Sequence, residues 1–276
     1  MNPLTLGYSP CPNDTFIFYA LAEKRIEVPF PLDILLADVE MLNRRAGQGA
    51  LDISKISASA VPGILDKYWL LRCGGAMGRG CGPLVVARGP TRFEELRDAK
   101  IATPGDLTTA SLLLRLEGTH RGLRVPMPFD RIMPAVLAGE VDAGVIIHEG
   151  RWTYRRYGLH EALDLGRWWE GQTGLPLPLG AIAIRRSLGG EVAGAVEGKI
   201  RESLLYAMNH PDEAWPYIRR HAQEMAPEVI RLHIDAFVNE FSIDAGAEGE
   251  RALRSLLEAA CALENRPMPG QSLFWS

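Results

Sequence analysis

The chain of 276 residues predicts an α/β fold built from two lobes. Three observations carry this. The stretch Ala138 to Gly150, AGEVDAGVIIHEG, sets a polar turn, the acid Asp142 and the apolar run Val145-Ile146-Ile147 ahead of His148. That is the pattern of a buried strand in a parallel sheet, delivering one titratable side chain to its carboxyl edge. In open α/β sheets ligands bind at that edge. The second observation is an echo: Gly49 to Ile56 and Gly139 to Ile146 both read Gly-x-aliphatic-Asp-x-small-x-Ile. Each describes a helix stopped by glycine, a short strand, and a polar residue at the sheet edge. The third is length, because single domains run to about 100–200 residues.

On this reading Lys55-Ile56-Ser57 on one lobe and His148 on the other face a common ligand cleft. Position alone does not make His148 a catalyst, since a histidine at a strand end is commonly a hydrogen-bonded structural residue.

The other elements follow in order. Leu4 to Gly7 reads as a strand, and Ser9 to Asp14 as a turn in which Asn13 or Asp14 caps a helix through Phe16, Phe18 and Leu21. The prolines flanking Cys11 stiffen that loop. Leu32 to Leu36 is a second strand, and Asp38-Val39-Glu40 opens a helix ending near Gly47. The strand Tyr68 to Leu71 enters a glycine-rich run, Gly74 to Gly82, that lacks phosphate-loop spacing and precedes the strand Pro83 to Ala87, not a helix. It reads as a backbone crossing between lobes. Arg92 to Arg97 is a helix and Lys100 to Ala102 a strand; Thr108 and Thr109 then stand at the start of a helix from Ala110 to Leu116. One threonine there is explained by capping, but two adjacent hydroxyls beside first-turn amides point to a ligand oxygen. Arg131 to Leu137 is helical, the run Gly174 to Gly180 breaks helical order, and Ala181 to Ile184 returns the chain to the first lobe. From Glu191 onward apolar residues recur at helical spacing. Lobe 1 is thus residues 1–88 and 182–276, and lobe 2 is residues 89–181.

Composition narrows the function classes. A hydrophobic content of 47% with 23% charged residues is ordinary for a soluble globular chain. A net charge of −4 with no basic tract argues against nucleic-acid binding. No apolar run approaches the length of a membrane span, about 18 residues. The first twenty residues have no basic start, and Pro10, Pro12, Asn13 and Asp14 interrupt any signal-like core, so a cytoplasmic location is expected. Cys11, Cys73, Cys81 and Cys261 form no metal-binding or redox spacing and read as free thiols of a reducing compartment.

SPCPNDTF at 9–16, KIS at 55–57, GGAMGRGCGPLVVARGP at 74–90, DLTTA at 106–110, IIHEGR at 146–151 and TGLPLPLGAI at 173–182 occur in that order. Together they resemble the 1,4-dihydroxy-6-naphthoate synthase family of the futalosine route to menaquinone, over nearly the whole chain. The resemblance implies a type II periplasmic-binding-protein-like fold, with a ligand cleft between two α/β lobes, used as a cytoplasmic enzyme. It implies a carbon–carbon lyase that converts cyclic dehypoxanthinylfutalosine to 1,4-dihydroxy-6-naphthoate. It assigns His148 as proton acceptor and Lys55, Ile56, Ser57, Thr108 and Thr109 as substrate contacts. Such chemistry needs a base and donors for a developing oxyanion. Aromatisation supplies the driving force, so no cofactor and no metal are expected. The implied partner is a small molecule, with neither nucleic acid nor membrane. The alternative for the same fold is a solute-binding or sensing protein. A related lyase or dehydratase of the pathway is a third reading.

Overall fold

The computed structural model describes residues 2–223 and 226–276. The chain divides into two compact units, Met1–Gly78 with Pro178–Ser276, and Arg79–Leu177.

The first unit opens with β1 (Leu4–Tyr8), α1 (Pro12–Ala22), β2 (Leu32–Leu36), α2 (Val39–Gly47), β3 (Ile53–Ser57) and β4 (Tyr68–Gly78). The glycines from Gly74 to Gly78 belong to this last strand. The second unit holds β5 (Leu84–Ala87), β6 (Ile101–Thr103), α3 (Thr109–Glu117), β7 (Arg124–Pro126), α4 (Phe129–Ala138), β8 (Ala143–Ile146), α5 (Gly150–Thr153), β9 (His160–Asp164) and α6 (Leu165–Thr173). The chain then returns through β10 (Leu177–Arg185) to α7 (Gly190–Asn209), α8 (Pro211–His221), α9 (Pro227–Phe237), α10 (Glu240–Ile243) and α11 (Gly246–Leu263). The expected helix at Arg92 to Arg97 is a single 3-10 turn, Phe93–Leu96.

Each unit has a five-stranded sheet, ordered β2-β1-β3-β10-β4 in the first and β7-β6-β8-β5-β9 in the second. β1 pairs parallel with β2 and β3, and β6 pairs parallel with β7 and β8. The fourth strand is antiparallel in both, β10 against β3 and β5 against β8. The sequence echo is therefore the visible part of a repeated topology. Gly49 and Gly139 both adopt left-handed backbone, at φ +68° and +75°. Each follows a helix, where only glycine takes that conformation without steric cost. Asp52 accepts from the backbone N–H and the hydroxyl of Thr5, both at 3.0 Å, and Asp142 accepts from the Lys100 N–H at 2.7 Å.

The structure moves both boundaries that the sequence suggested. The first lies after Gly78 rather than after residue 88, because Leu84–Ala87 pairs with β8 and β9 in the second sheet. The second lies after Leu177 rather than after residue 181, because β10 is longer than expected and is laddered to β3 from Gly180.

The core of the first unit centres on α1, which is buried from Pro12 to Leu21, as expected of a helix with no polar face. Ser203 of α7 enters this apolar layer with its hydroxyl satisfied, donating to the Ile17 carbonyl at 2.7 Å and accepting from the Ala20 N–H at 3.1 Å. In the second unit Val86, Ala102 and Ile146 pack on Ile132, Ala135 and Val136 of α4. Gly82 and Gly166 are in backbone contact there: a Cβ on Gly82 would lie 2.3 Å from the Gly166 Cα. Gly82→Ala is expected to cost about 1–3 kcal/mol by overpacking. Gly47→Ala, in the last turn of α2 with nothing within 4 Å of its Cβ position, is expected to stabilise by about 0.5–1 kcal/mol. Thermal unfolding of both variants checks the pair; equal stabilities would contradict the packing argument.

Candidate active site

In the first unit the polar residues gather where β1 and β3 end. α1 begins at Pro12, whose fixed φ suits a first helical position, and Cys11 is its N-cap without a side-chain cap bond. Asn13 and Asp14 are thus inside the first turn, not the cap expected from sequence. Both side chains are buried and serve another purpose. Asp14 Oδ1 accepts from Lys55 Nζ at 2.7 Å and from Asn13 Nδ2 at 2.9 Å, and Oδ2 accepts from the Ser9 hydroxyl at 2.7 Å. Lys55 Nζ also donates to the Gly74 carbonyl at 2.9 Å. The Lys55 and Asp14 side chains are only 5% and 3% exposed. Two of the three ammonium protons are thereby committed, which leaves Lys55 one donor. Asn13 Oδ1 accepts from His233 Nε2 of α9 at 2.9 Å. The amide's own orientation requires the proton on Nε2 of that histidine. Ser57 is held by Asn43 of α2, its N–H donating to Oδ1 at 2.7 Å and its Oγ accepting from Nδ2 at 2.9 Å. Ile56 is fully buried, so its side chain belongs to the core.

In the second unit the corresponding strand ends are those of β6 and β8. Thr108 caps α3: its Oγ1 accepts from the Ser111 N–H at 3.3 Å and donates to the Gly105 carbonyl at 2.8 Å. Thr109 is the buried first residue of that helix. Just before this turn stands Thr103, which sequence reasoning did not single out. Its Oγ1 is buried and finds no hydrogen-bond partner among the described residues. Its signal was positional: the last residue of a strand, ahead of Pro104-Gly105.

His148 lies two residues beyond β8, half-buried, with φ +54°. For a residue with a Cβ, the left-handed region costs about 1–2 kcal/mol. It persists where the surroundings fix it, often at functional sites. The imidazole meets the Phe129 ring edge-on, with centroids 4.9 Å apart and planes at 71°. Three residues on, Arg151 donates to the Gly82 carbonyl and to Asp164 Oδ2, each at 2.7 Å.

The structure therefore brings Lys55 and Ser57 together with Ser9, Asn13 and Asp14 at one sheet edge of the first unit. It puts Thr108, Thr109 and His148 at the corresponding edge of the second unit's sheet, after the adjacent parallel strands β6 and β8. Cys73 and Cys81 are not poised as nucleophiles. Burial pushes the Cys73 and Cys81 thiols up to about 12, so both are protonated near neutral pH. Among the described residues no group of three or more His, Cys, Asp or Glu is arranged to hold a metal ion, and no helix is long and apolar enough to cross a membrane.

Two α/β units with polar residues at the carboxyl ends of their parallel strands define the periplasmic-binding-protein-like class. The chain matches the periplasmic aliphatic sulphonate binding protein of Escherichia coli with a TM-score of 0.66 at 14% identity, over 99% of this chain and 90% of that one. At that identity the likeness concerns the fold alone. A protein of Archaeoglobus fulgidus matches with a TM-score of 0.90 at 38% identity, over 95% of this chain and 98% of the other. In sequence, the chain is 53% identical over 260 residues to a 1,4-dihydroxy-6-naphtoate synthase of Thermus thermophilus, covering 94% of each. It is 47% identical over 264 residues to the Streptomyces coelicolor enzyme of the same name, covering 94% of this chain and 93% of the other. The family model described as menaquinone biosynthesis matches residues 4–262. The chain belongs to that family.

Removing one partner of a buried ion pair leaves an uncompensated charge, at a cost of about 3–5 kcal/mol. Lys55→Met is expected near the lower end of that range, because Ser9 and Asn13 still donate to Asp14. Adding Asp14→Asn is expected to recover most of the loss. Urea unfolding of the single and double variants measures it; a double variant less stable than Lys55→Met would contradict the charge account.

Proposed function

We propose that this protein is a carbon–carbon lyase that converts cyclic dehypoxanthinylfutalosine to 1,4-dihydroxy-6-naphthoate with release of the sugar fragment, in menaquinone biosynthesis, in the cytoplasm. The observation that carries the reading is His148: a half-buried imidazole in a left-handed conformation at the carboxyl end of a parallel strand. Membership of the menaquinone biosynthesis family, and two relatives named for naphthoate synthesis over nearly their whole lengths, support the choice of reaction.

In this account His148 acts as general base. Histidine suits that work because its unperturbed pKa, about 6.5, lies near working pH. Lys55, Ser57 and the backbone of Ile56 in the first unit, and Thr108 and Thr109 in the second, contact the substrate. The hydrogen-bond pattern divides their roles. Thr108 contributes mainly by shaping the start of α3, whose first-turn N–H groups face a ligand oxygen or developing oxyanion. Ser57 keeps its hydroxyl proton to donate while Asn43 fixes its lone pair. Lys55 neutralises Asp14 and offers one remaining N–H. The reaction asks for no cofactor, since proton transfer and aromatisation suffice.

The test is incubation of the purified protein with cyclic dehypoxanthinylfutalosine while following naphthoate absorbance. Turnover is expected; tight binding without turnover would instead identify a solute-binding or sensing protein. His148→Ala is expected to abolish turnover and leave substrate affinity within about tenfold, as for a group acting mainly in the transition state. Wild-type kcat in that variant would remove His148 from the mechanism.

A further inference from the structure

Three non-glycine residues among those described have positive φ: Lys24, His148 and Asn265. Lys24 and Asn265 follow the ends of α1 and α11, where left-handed residues are a common way to stop a helix. His148 is different. It lies between a strand and a four-residue helix, and two local bonds close the turn around it: Gly150 N–H to the Ile147 carbonyl at 3.1 Å and Arg151 N–H to the His148 carbonyl at 3.3 Å.

The far end of the turn is fastened through Arg151. Its Nη1 donates to the Gly82 carbonyl and its Nη2 to Asp164 Oδ2, both at 2.7 Å, with the Asp164 side chain 3% exposed. The two acceptors belong to a stiff platform. Asp164 caps α6 through its other oxygen, accepting from the Arg167 N–H at 2.9 Å, and sits opposite Leu84 in the β5–β9 ladder. The Leu165 N–H donates to the Pro83 carbonyl at 3.0 Å, and Gly82 and Gly166 touch backbone to backbone. The planar guanidinium reaches the carbonyl and the carboxylate from two different nitrogens held in a fixed fork, a geometry that the single nitrogen of a lysine ammonium does not reproduce.

We propose that Arg151 is a positioning residue, whose clamp on Gly82 and Asp164 keeps His148 in its left-handed conformation and so aims the imidazole. Phe129, edge-on at 4.9 Å, bounds the ring from α4. The inference rests on the reading of His148 as the base. Releasing the clamp lets the turn relax toward negative φ, which swings the Cβ and the ring away from their working direction.

The experiment compares Arg151→Gln, Arg151→Lys, Asp164→Asn and His148→Ala in the full-length protein. Arg151→Gln is expected to lower kcat on the order of a hundredfold, the cost of misplacing a reacting group by about 1 Å, with KM changed no more than about threefold. Arg151→Lys is expected to recover little, because it retains the charge without the fork. The imidazole carbon–proton NMR resonance of His148, assigned by its loss in His148→Ala, is expected to shift in Arg151→Gln while the other histidine resonances stay. A merely structural arginine would lower stability without moving that one resonance. If Arg151→Gln does not fold, Asp164→Asn carries the same expectations, since asparagine still caps α6. Wild-type kcat with an unmoved His148 resonance in these variants, or full recovery by Arg151→Lys, overturns the clamp. Wild-type kcat in His148→Ala overturns the base instead.

Discussion

One interaction, used twice, sets both sheet edges: an aspartate at the foot of the central parallel strand grips the neighbouring strand. Asp52 receives the N–H and hydroxyl of Thr5, and its own N–H donates back to the Thr5 hydroxyl at 2.8 Å. Asp142 receives the Lys100 N–H, and its own N–H donates to the Lys100 carbonyl at 2.9 Å. A slip of one residue in either pairing would turn every side chain to the opposite face. With the grip in place, β3 ends on Ser57 and β8 runs out into His148. Lys55 and Ser57 in one unit and His148 in the other thus lie within or just after two copies of one short motif.

The edges are built on different physical principles. In the first unit the device is electrostatic. Lys55 and Asp14 are removed from water together, and serine, asparagine and a backbone carbonyl saturate the pair. Such a network is rigid because any missing member leaves an expensive buried polar group. In the second unit the device is conformational. His148 sits in a sparsely populated backbone state, in a tight turn whose far end a guanidinium fastens to Asp164 and Gly82. The same fold serves binding proteins with little sequence in common with this one, so the fold does not decide the chemistry. The side chains at these edges do.

Much of this was legible in the sequence where a local rule acts alone. Gly-x-aliphatic-Asp located β3 and β8, Leu32 to Leu36 was readable as β2, and Thr108 was recognisable as a cap. The misreadings arose where distant residues decide. Asn13 and Asp14 have the chemistry of helix caps, but Pro12 starts the helix first and the partners Lys55 and His233 lie far along the chain. Leu84–Ala87 looks like any strand, and only its pairing with β8 and β9 assigns it to the second unit. Arg151, in the sequence only the last residue of IIHEGR, gains its role when the fold brings Gly82 and Asp164 to it. The positive φ of His148 has no sequence marker, because glycine is the residue that usually announces that conformation.

On the proposed function, His148 faces the reacting part of a naphthoate-forming substrate. A crystal structure of the protein with 1,4-dihydroxy-6-naphthoate bound tests it most directly. An imidazole nitrogen of His148 is expected within hydrogen-bond reach of the ligand, about 2.6–3.2 Å, with the His148 backbone still left-handed. An ordered ligand seated out of reach of that ring would contradict it.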